Sequence, residues 1–302
     1  MKLAPSISIV IPVLNGEDVI GDLLLGLTSQ RGLSDVPEII VVDNGSVDKT
    51  MEIVRKFNVI LLEENKRGPG PARNCGLSYA SGEIIAHLDA DTIPTRRWLA
   101  ELVAPFNDPG VMLTAGKSLV FQPETPAQRF MAGYDLYDAG SVSQRETFPF
   151  APSLNLAVRR QAAVKVGGWA VDMPTGEDVD FCHRVLNAFP SKIVYQPGAV
   201  LFHRTRPSFE ALRITAWTYG EGLAHIYRKY PDEIQLAPGE YLQIIYVMAY
   251  RSLLPYFRSV LNLIGISQKD ELEFAYTQRF WTWWHWRGFF SMYRSGQRRE
   301  NP

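Results

Sequence analysis

The sequence predicts an α/β protein: a mostly parallel sheet flanked by helices, followed by a helical, aromatic-rich C-terminal extension. Three observations carry that expectation. Short apolar runs rich in β-branched residues alternate with helical patterns through the first 120 residues, as βαβ units do. Polar residues gather where those runs end. Beyond Pro207 the strand pattern stops, and the chain reads as helical and aromatic to its end.

Taken in order, Ile7-Ser-Ile-Val-Ile-Pro-Val13, Glu38-Ile-Ile-Val-Val-Asp43, Val59-Ile-Leu-Leu62 and Glu83-Ile-Ile-Ala-His-Leu88 are too short for buried helices. They lack polar alternation, as strands covered on both faces do. Helical patterns fill the gaps at 17–29, 48–57, 71–80 and 95–106. Asp48 and Thr95 are expected as N-caps and Pro71 in a first turn. From 110 to 205 the pattern is mixed: Val111–Ala115, Leu154–Val158 and Ala199–His203 are strand-like, and Glu177–Ala188 reads as a helix with Asp180 and Arg184 at i,i+4 spacing. Ser208–Tyr230 can form one amphipathic helix. The expected division is an α/β region of 1–207 and a helical extension of 208–302.

At 302 residues, with 46% hydrophobic and 21% charged content, the chain can bury a large core. A net charge of -1 gives no electrostatic reason to expect nucleic acid as a partner. Cys75 and Cys182 form no metal-type cluster and read as small buried apolar residues in a reducing compartment. The opening Met1–Ser6 is broken too early by Pro5 for a signal peptide, so the mature chain is expected to begin here. The most apolar long stretch, Tyr241–Ile266, carries Arg251 and Arg258 and falls short of a membrane span. The expected location is the cytoplasm.

Open α/β sheets bind ligands at the carboxyl ends of their strands. Asn15 and Glu17 follow the first strand, Asp43 and Asn44 end the second, and Asp89 and Asp91 end the fourth. One crevice is therefore being furnished. Pro94 suggests that the fourth strand has already ended and that Asp89-Ala90-Asp91 sits on a turn. Two like charges so close suit a hard divalent cation, Mg²⁺ or Mn²⁺, held by carboxylates and by the phosphates of a substrate. Taken alone, an Asx-type turn with a solvated acid explains the pair at least as well.

A second acid pair, Glu177-Asp178, follows Gly176 at a helix start, where acids are also favoured for purely structural reasons. His203, at a strand end, could be a further metal ligand or a side chain meeting solvent; His87 reads as a satisfied core histidine. The rigid, basic segment Lys66-Arg-Gly-Pro-Gly-Pro-Ala-Arg-Asn74 suits an anion near backbone N–H donors. It has neither the Gly-Lys-Ser/Thr ending of a phosphate loop nor a G-x-G-x-x-G pattern, and a plain loop-to-helix entry serves as well.

Together and in order, these residues resemble glycosyltransferase family 2, the inverting nucleotide-sugar enzymes with a Rossmann-like GT-A fold. The likeness runs through Ile9-Val-Ile-Pro-Val-Leu-Asn15 with Glu17, Val41-Val-Asp-Asn-Gly-Ser-Val-Asp-Lys-Thr50, Ala72-Arg-Asn-Cys-Gly76, Gly82-Glu83 and Asp89-Ala-Asp91. It continues through Asn155–Arg160, Gly167-Gly-Trp169 and Gly176-Glu-Asp-Val-Asp-Phe-Cys-His-Arg184.

The resemblance implies that Pro12, Leu14 and Glu17 line a nucleoside pocket and that Asp43 accepts a hydrogen bond from the base. Arg67 and Arg73 would lie near the donor, with Asp89 and Ala90 on its ribose side. Asp91 would ligate a Mn²⁺ or Mg²⁺ ion bridging the diphosphate, and His203 would add a contact to metal or diphosphate. Asp178 would be the catalytic base and Glu177 its support or an acceptor contact, with Gly168 and Trp169 on the acceptor side. It further implies a UDP-sugar donor and a carbohydrate or lipid-linked acceptor, in cell-surface polysaccharide or glycolipid synthesis. One departure stands out: Asn44 follows Asp43 where many relatives carry a second acid, which leaves the base open.

The C-terminal segment Arg279–Arg294 holds four of the chain's seven tryptophans, with arginines between them. It suits peripheral contact with the cytoplasmic face of a membrane, a helix packed on the catalytic region, or a homodimer contact. Two other function classes are compatible with an α/β crevice and acids. A sugar nucleotidyltransferase would be expected to carry an early glycine-rich triphosphate loop, and a non-catalytic nucleotide-sugar binder has little use for a base across the site from the metal.

Overall fold

The computed structural model describes residues 5–297. Strand β1 (Ile7–Val13), helix α1 (Ile20–Thr28), β2 (Glu38–Asp43), α2 (Thr50–Val54), β3 (Ile60–Glu63), α3 (Pro69–Tyr79) and β4 (Ile84–Leu88) form successive βαβ units, their strands ordered β3-β2-β1-β4 in the sheet and all parallel. Ile9, Val10 and Ile11 of β1, and every residue of β4, are buried, so the unbroken apolar runs follow from coverage on both faces.

The sheet then changes character. After β4 come β5 (Thr92–Pro94), α4 (Trp98–Val103), β6 (Leu113–Val120), α5 (Pro126–Gly133), α6 (Ala139–Val142), β7 (Asn155–Arg159), α7 (Arg160–Lys165), α8 (Glu177–Ala188) and β8 (Ile193–His203). The full order is β3-β2-β1-β4-β7-β6-β8-β5. Pairing is antiparallel at β4-β7, β7-β6 and β8-β5 and parallel again at β6-β8.

Several local expectations are corrected. Strand β4 ends at Leu88 with Asp89–Asp91 in the turn beyond it, as expected, but Pro94 closes a short edge strand β5 that was not expected, paired with Leu201 of β8, where an edge tolerates a residue without an N–H. Thr95 does not cap α4; its hydroxyl donates to the Val200 carbonyl at 2.9 Å. Asp48 precedes the N-cap of α2, Lys49, and its carboxylate accepts from the backbone N–H groups of Thr50 and Glu17. Helix α3 begins two residues before Pro71, at Pro69, behind a Gly68 at φ 123° that no residue with a Cβ adopts easily.

Two compact units emerge. The first comprises the chain to Phe121 together with Tyr137–Thr205; the second joins Gln122–Leu136, which holds α5, to the chain from Arg206 onward. In the second unit lie α9 (Phe209–Lys229), α10 (Pro238–Leu263) and α11 (Lys269–Gln297). Ser208 caps α9, its hydroxyl accepting from the Ala211 N–H at 3.1 Å. Helices α9 and α11 cross at a reciprocal pair of glycines: a Cβ on Gly220 would sit 1.9 Å from the His285 carbonyl oxygen, and one on Gly288 2.2 Å from that of Trp217. Trp281 and Phe289 of α11 are buried, whereas Trp283 is 44% exposed. Packing therefore accounts for one side of the tryptophan-rich segment. No described helix is long and apolar enough to cross a membrane.

Candidate active site

The carboxyl ends of β1, β2 and β4 open onto one rim, and the loops there are stitched together. Asn15 adopts the left-handed conformation at φ 52°; its amide oxygen accepts from the Val47 N–H, and its own N–H donates to the Ser46 hydroxyl. Glu17 accepts from the Lys49 N–H at 2.9 Å. Pro12 is half-buried and Leu14 exposed on this rim. At the end of β2, one carboxylate oxygen of Asp43 accepts from the N–H groups of Gly45 and Ser46. The other is buried with no partner among the described residues.

Asn44 explains its own departure from an acid pair. Its amide donates to the carbonyls of Glu64 and Lys66, each at 2.8 Å, and accepts from the Gly68 N–H at 2.8 Å. A carboxylate cannot donate, so an acid here would release the basic loop entering α3. Arg67, exposed in that loop, donates to the Asn44 carbonyl at 3.1 Å.

Arg73, on α3, is 2% exposed. Its Nη1 donates to Glu177 Oε1 at 2.8 Å and its Nη2 to Asp89 Oδ1 at 2.9 Å, while the guanidinium lies 4.8 Å from the Trp169 ring centroid. The fourth-strand acids and the α8 acids are thus joined through one buried cation. Burial alone would weaken the charge on Arg73, but Asp89 and Glu177 outweigh it and hold the guanidinium protonated.

Helix α8 starts from Gly176 at φ 80°. Asp178, one residue beyond Glu177, is half-buried, and its Oδ1 accepts from the Val179 N–H at 2.9 Å. Desolvation, then the Glu177 carboxylate beside it, push the Asp178 pKa up to about 7. Gly168 and Trp169, expected on the acceptor side, lie in the loop after α7 and are both buried, Trp169 stacked on Phe181 with ring centroids 4.2 Å apart. Asn74 clamps that loop in both directions, donating to the Trp169 carbonyl at 2.9 Å and accepting from its N–H at 2.7 Å. Gly168, at φ 72°, has room for no Cβ, since one would lie 2.3 Å from the Asn74 oxygen.

Asp91 and Ala90 occupy the turn after β4, which the Thr92 hydroxyl ties to the Asp89 carbonyl at 2.7 Å. His203 ends β8 directly opposite Thr92, and its Nε2 lies 3.3 Å from Asp91 Oδ1. Burial disfavours the imidazolium of His203, but Asp91, with Asp89 behind it, outweighs this and raises its pKa. A carboxylate and an imidazole form a donor pair suited to a divalent cation, Mn²⁺ more readily than Mg²⁺. Among the described residues no group of three or more His, Cys, Asp or Glu gathers around a common point. An ion here would therefore need oxygens from its substrate, as Mg²⁺ and Mn²⁺ commonly take from phosphates.

His87 departs from expectation. It is buried in β4 with neither ring nitrogen hydrogen-bonded among the described residues, its ring edge-on to Trp169 at 4.9 Å. Burial, then Arg73, hold its pKa well below the usual range, so it is a neutral packing residue. The clamp by Asn74 and the role of Asn155, which accepts from the Trp98 indole N–H at 2.8 Å and donates to carbonyls of β6 and β8, escaped sequence reasoning. Both asparagines lie inside the quoted motif segments, and that is the signal that could have found them.

The sheet order, the acid-bearing turn after β4 and the helix entered through Gly-Glu-Asp define a protein of the GT-A glycosyltransferase fold. The sequence profile described as "Glycosyl transferase family 2" matches residues 8–167, and this chain belongs to that family as a glycosyltransferase. It is 33% identical over 217 residues to glycosyltransferase AglE of Haloferax volcanii, covering 69% of this chain and 70% of that protein. It is also 33% identical over 237 residues to the pre-mycofactocin glycosyltransferase of Mycobacterium tuberculosis, covering 75% of this chain and 48% of that protein. The match thus spans about half the length of the mycobacterial relative. Among solved structures, the mannosyltransferase PcManGT from Pyrobaculum calidifontis, in complex with GDP-Man and Mn²⁺, superposes with a TM-score of 0.64 at 20% identity, covering 100% of this chain and 89% of that one. TarS 1-349 of S. aureus, in complex with UDP, gives 0.54 at 18% identity, covering 97% and 92%. Membership of a transferase family sets aside the readings as a sugar nucleotidyltransferase or a non-catalytic binder.

Proposed function

We propose that the protein transfers a sugar, with inversion, from a UDP-sugar to a hydroxyl of a carbohydrate or lipid-linked acceptor in cell-surface polysaccharide or glycolipid synthesis. The observation that carries this reading is Arg73. It joins Asp89, on the donor rim, to Glu177, beside Asp178, so two acid clusters from distant segments belong to one site.

Pro12, Leu14 and Glu17 form the nucleoside side, and the partnerless Asp43 oxygen accepts from a base N–H. Arg67 meets the diphosphate from its exposed loop, and Asp89 and Ala90 border the ribose. Arg73 acts as a positioning residue, since its donors are already directed at carboxylates. The acceptor binds beside the loop that carries Gly168 and the buried Trp169. As its oxygen bonds to the anomeric carbon, its proton passes to Asp178, and the bond from that carbon to the phosphate oxygen breaks, the electron pair leaving with the nucleoside diphosphate. A carboxyl with a pKa of about 7 is well matched to accept that proton near neutrality. When bound by Asp91 and His203, Mn²⁺ or Mg²⁺ would supply Lewis-acid stabilisation of the leaving diphosphate.

The test is release of nucleoside diphosphate from UDP-, GDP-, TDP- and CDP-sugars, with and without Mn²⁺, together with a thermal-shift screen of the same ligands against Asp91→Ala. A metal-dependent UDP response lost in the variant is the expected result. A response to another nucleotide would overturn the UDP assignment. Silence toward all of them would overturn the donor site.

The same reading places the protein peripherally on the cytoplasmic face of the membrane, where lipid-linked acceptors are found. A homodimer contact is the competing use of its C-terminal helices.

A further inference from the structure

Helix α10 carries an outer face that nothing else in its unit covers. Leu242, Tyr246, Leu253, Phe257, Val260 and Leu263 are 69, 67, 67, 63, 57 and 86% exposed. They recur at helical spacing and so form one stripe along the helix. The charged side chains of α10 are directed elsewhere: Glu240 accepts from the Ala237 N–H, Arg251 donates to the Tyr134 and Thr282 hydroxyls, and Arg258 pairs with Glu271. From Leu242 to Leu263 the stripe is therefore free of charge over about 30 Å. With the neighbouring Ile245, Tyr250 and Ile264, also exposed, it forms a contiguous apolar face rather than the singly scattered apolar residues of an ordinary surface.

What borders the stripe indicates what covers it. Helix α11 runs alongside: Arg279 Nη1 donates to the Tyr256 hydroxyl at 2.9 Å, and Trp283 Nε1 donates to Ser252 Oγ at 2.8 Å. Arg287, one turn beyond Trp283 on the solvent side of α11, is exposed, its guanidinium 5.2 Å from the Trp284 ring centroid. An uncharged apolar stripe edged by tyrosine, tryptophan and arginine matches a bilayer surface, where apolar side chains enter between headgroups, amphipathic rings sit at headgroup depth and cations meet lipid phosphates. A second copy would offer cations on the same border, and Glu271, the α11 acid that reaches α10, is already paired with Arg258.

We infer that α10 is a membrane-docking helix, lying in the headgroup region of a bilayer that contains anionic lipid, with Arg279 and Arg287 on the phosphates. The inference rests on the peripheral location proposed above but not on the transfer chemistry. It moves the contact from the tryptophan-rich segment, much of which is packed, to the helix beside it.

The test is flotation of the full chain with vesicles of phosphatidylcholine plus phosphatidylglycerol and with vesicles of phosphatidylcholine alone. Wild type is compared with Leu253→Glu, Leu263→Glu and Arg287→Glu, each checked for unchanged circular dichroism and for unchanged donor hydrolysis without vesicles. Wild type is expected to float with the mixed vesicles. Either leucine variant should lower the partition coefficient about tenfold or more, and Arg287→Glu should weaken binding to the mixed vesicles alone. The inference is overturned if wild type stays in the buffer with both vesicles, or if both leucine variants float as wild type does. A dimer that Leu253→Glu dissociates, without any vesicle binding, also overturns it and assigns the face to a second copy. Because hydrolysis is read without vesicles, loss of docking and loss of activity are separate results.

Discussion

The guanidinium of Arg73 lies 2.8 Å from the carboxylate of Glu177, with side-chain exposures of 3% and 10%. A buried charge pair of this kind contributes little when intact, but removing one partner strands the other. Arg73→Ala is therefore expected to lower stability by about 3–5 kcal/mol, read by urea denaturation. Arg73→Lys should recover part of the stability but little of the turnover, because an ammonium cannot reproduce a planar fork directed at two carboxylates. A variant as stable as wild type would remove Arg73 as the link between the acid clusters.

Asp178 gives a pH dependence of defined sign. The proposed base must be ionised, so kcat/KM should fall as the pH drops below about 7. Asp178→Asn should abolish that inflection and lower the rate on the order of 10²–10⁴-fold. Stability runs the other way. The folded carboxyl keeps its proton up to about pH 7, whereas an unfolded aspartate releases it near 3.8; folding therefore takes up a proton in that window, and stability declines as the pH rises across it. Asp178→Asn should flatten that decline and unfold at a higher temperature than wild type at pH 8. Equal unfolding temperatures would show that Asp178 is not desolvated.

Asn44→Asp restores the adjacent acids of many relatives and should nonetheless harm this protein. The part-buried hydrogen bonds to the Glu64 and Lys66 carbonyls lose their donor, at a cost of about 1–3 kcal/mol for the two. The Arg67 loop should loosen, raising KM for the donor more than it lowers kcat. A fall in kcat at constant KM would argue that the loop does not bind the donor.

Metal dependence should divide between two residues. Chelation with EDTA and Asp91→Ala are each expected to abolish donor-induced thermal stabilisation. His203→Ala should weaken Mn²⁺ binding more than Mg²⁺ binding, because imidazole is the softer ligand. Equal losses for the two metals in isothermal titration would take His203 out of the coordination shell.

Much of the first unit was legible because its signals are local. Strands β1 and β2 and helix α8 begin and end where the sequence places them, since uninterrupted β-branched runs and a Gly-Glu-Asp helix start need no distant partner to be recognised. Strand β5 was not legible: three residues around a proline become a strand only because β8 lies beside them. Of the site, the acids themselves stood out, but their connection through Arg73 spans 104 residues to Glu177 and 16 to Asp89. Asn44 looked like a defect until its three hydrogen bonds to a later loop were in view. The apolar stripe of α10 was hidden differently. Arg251 and Arg258 interrupt it in sequence, yet both point away from it in the fold.

The glycine crossing of α9 and α11 limits how this family member can change over time. Where two backbones touch, neither helix can accept a larger residue without separating, so Gly220 and Gly288 are closed to drift. Substitutions on the outward sides of the helices leave the crossing untouched, so the surface of the helical unit can be altered without moving its backbones apart.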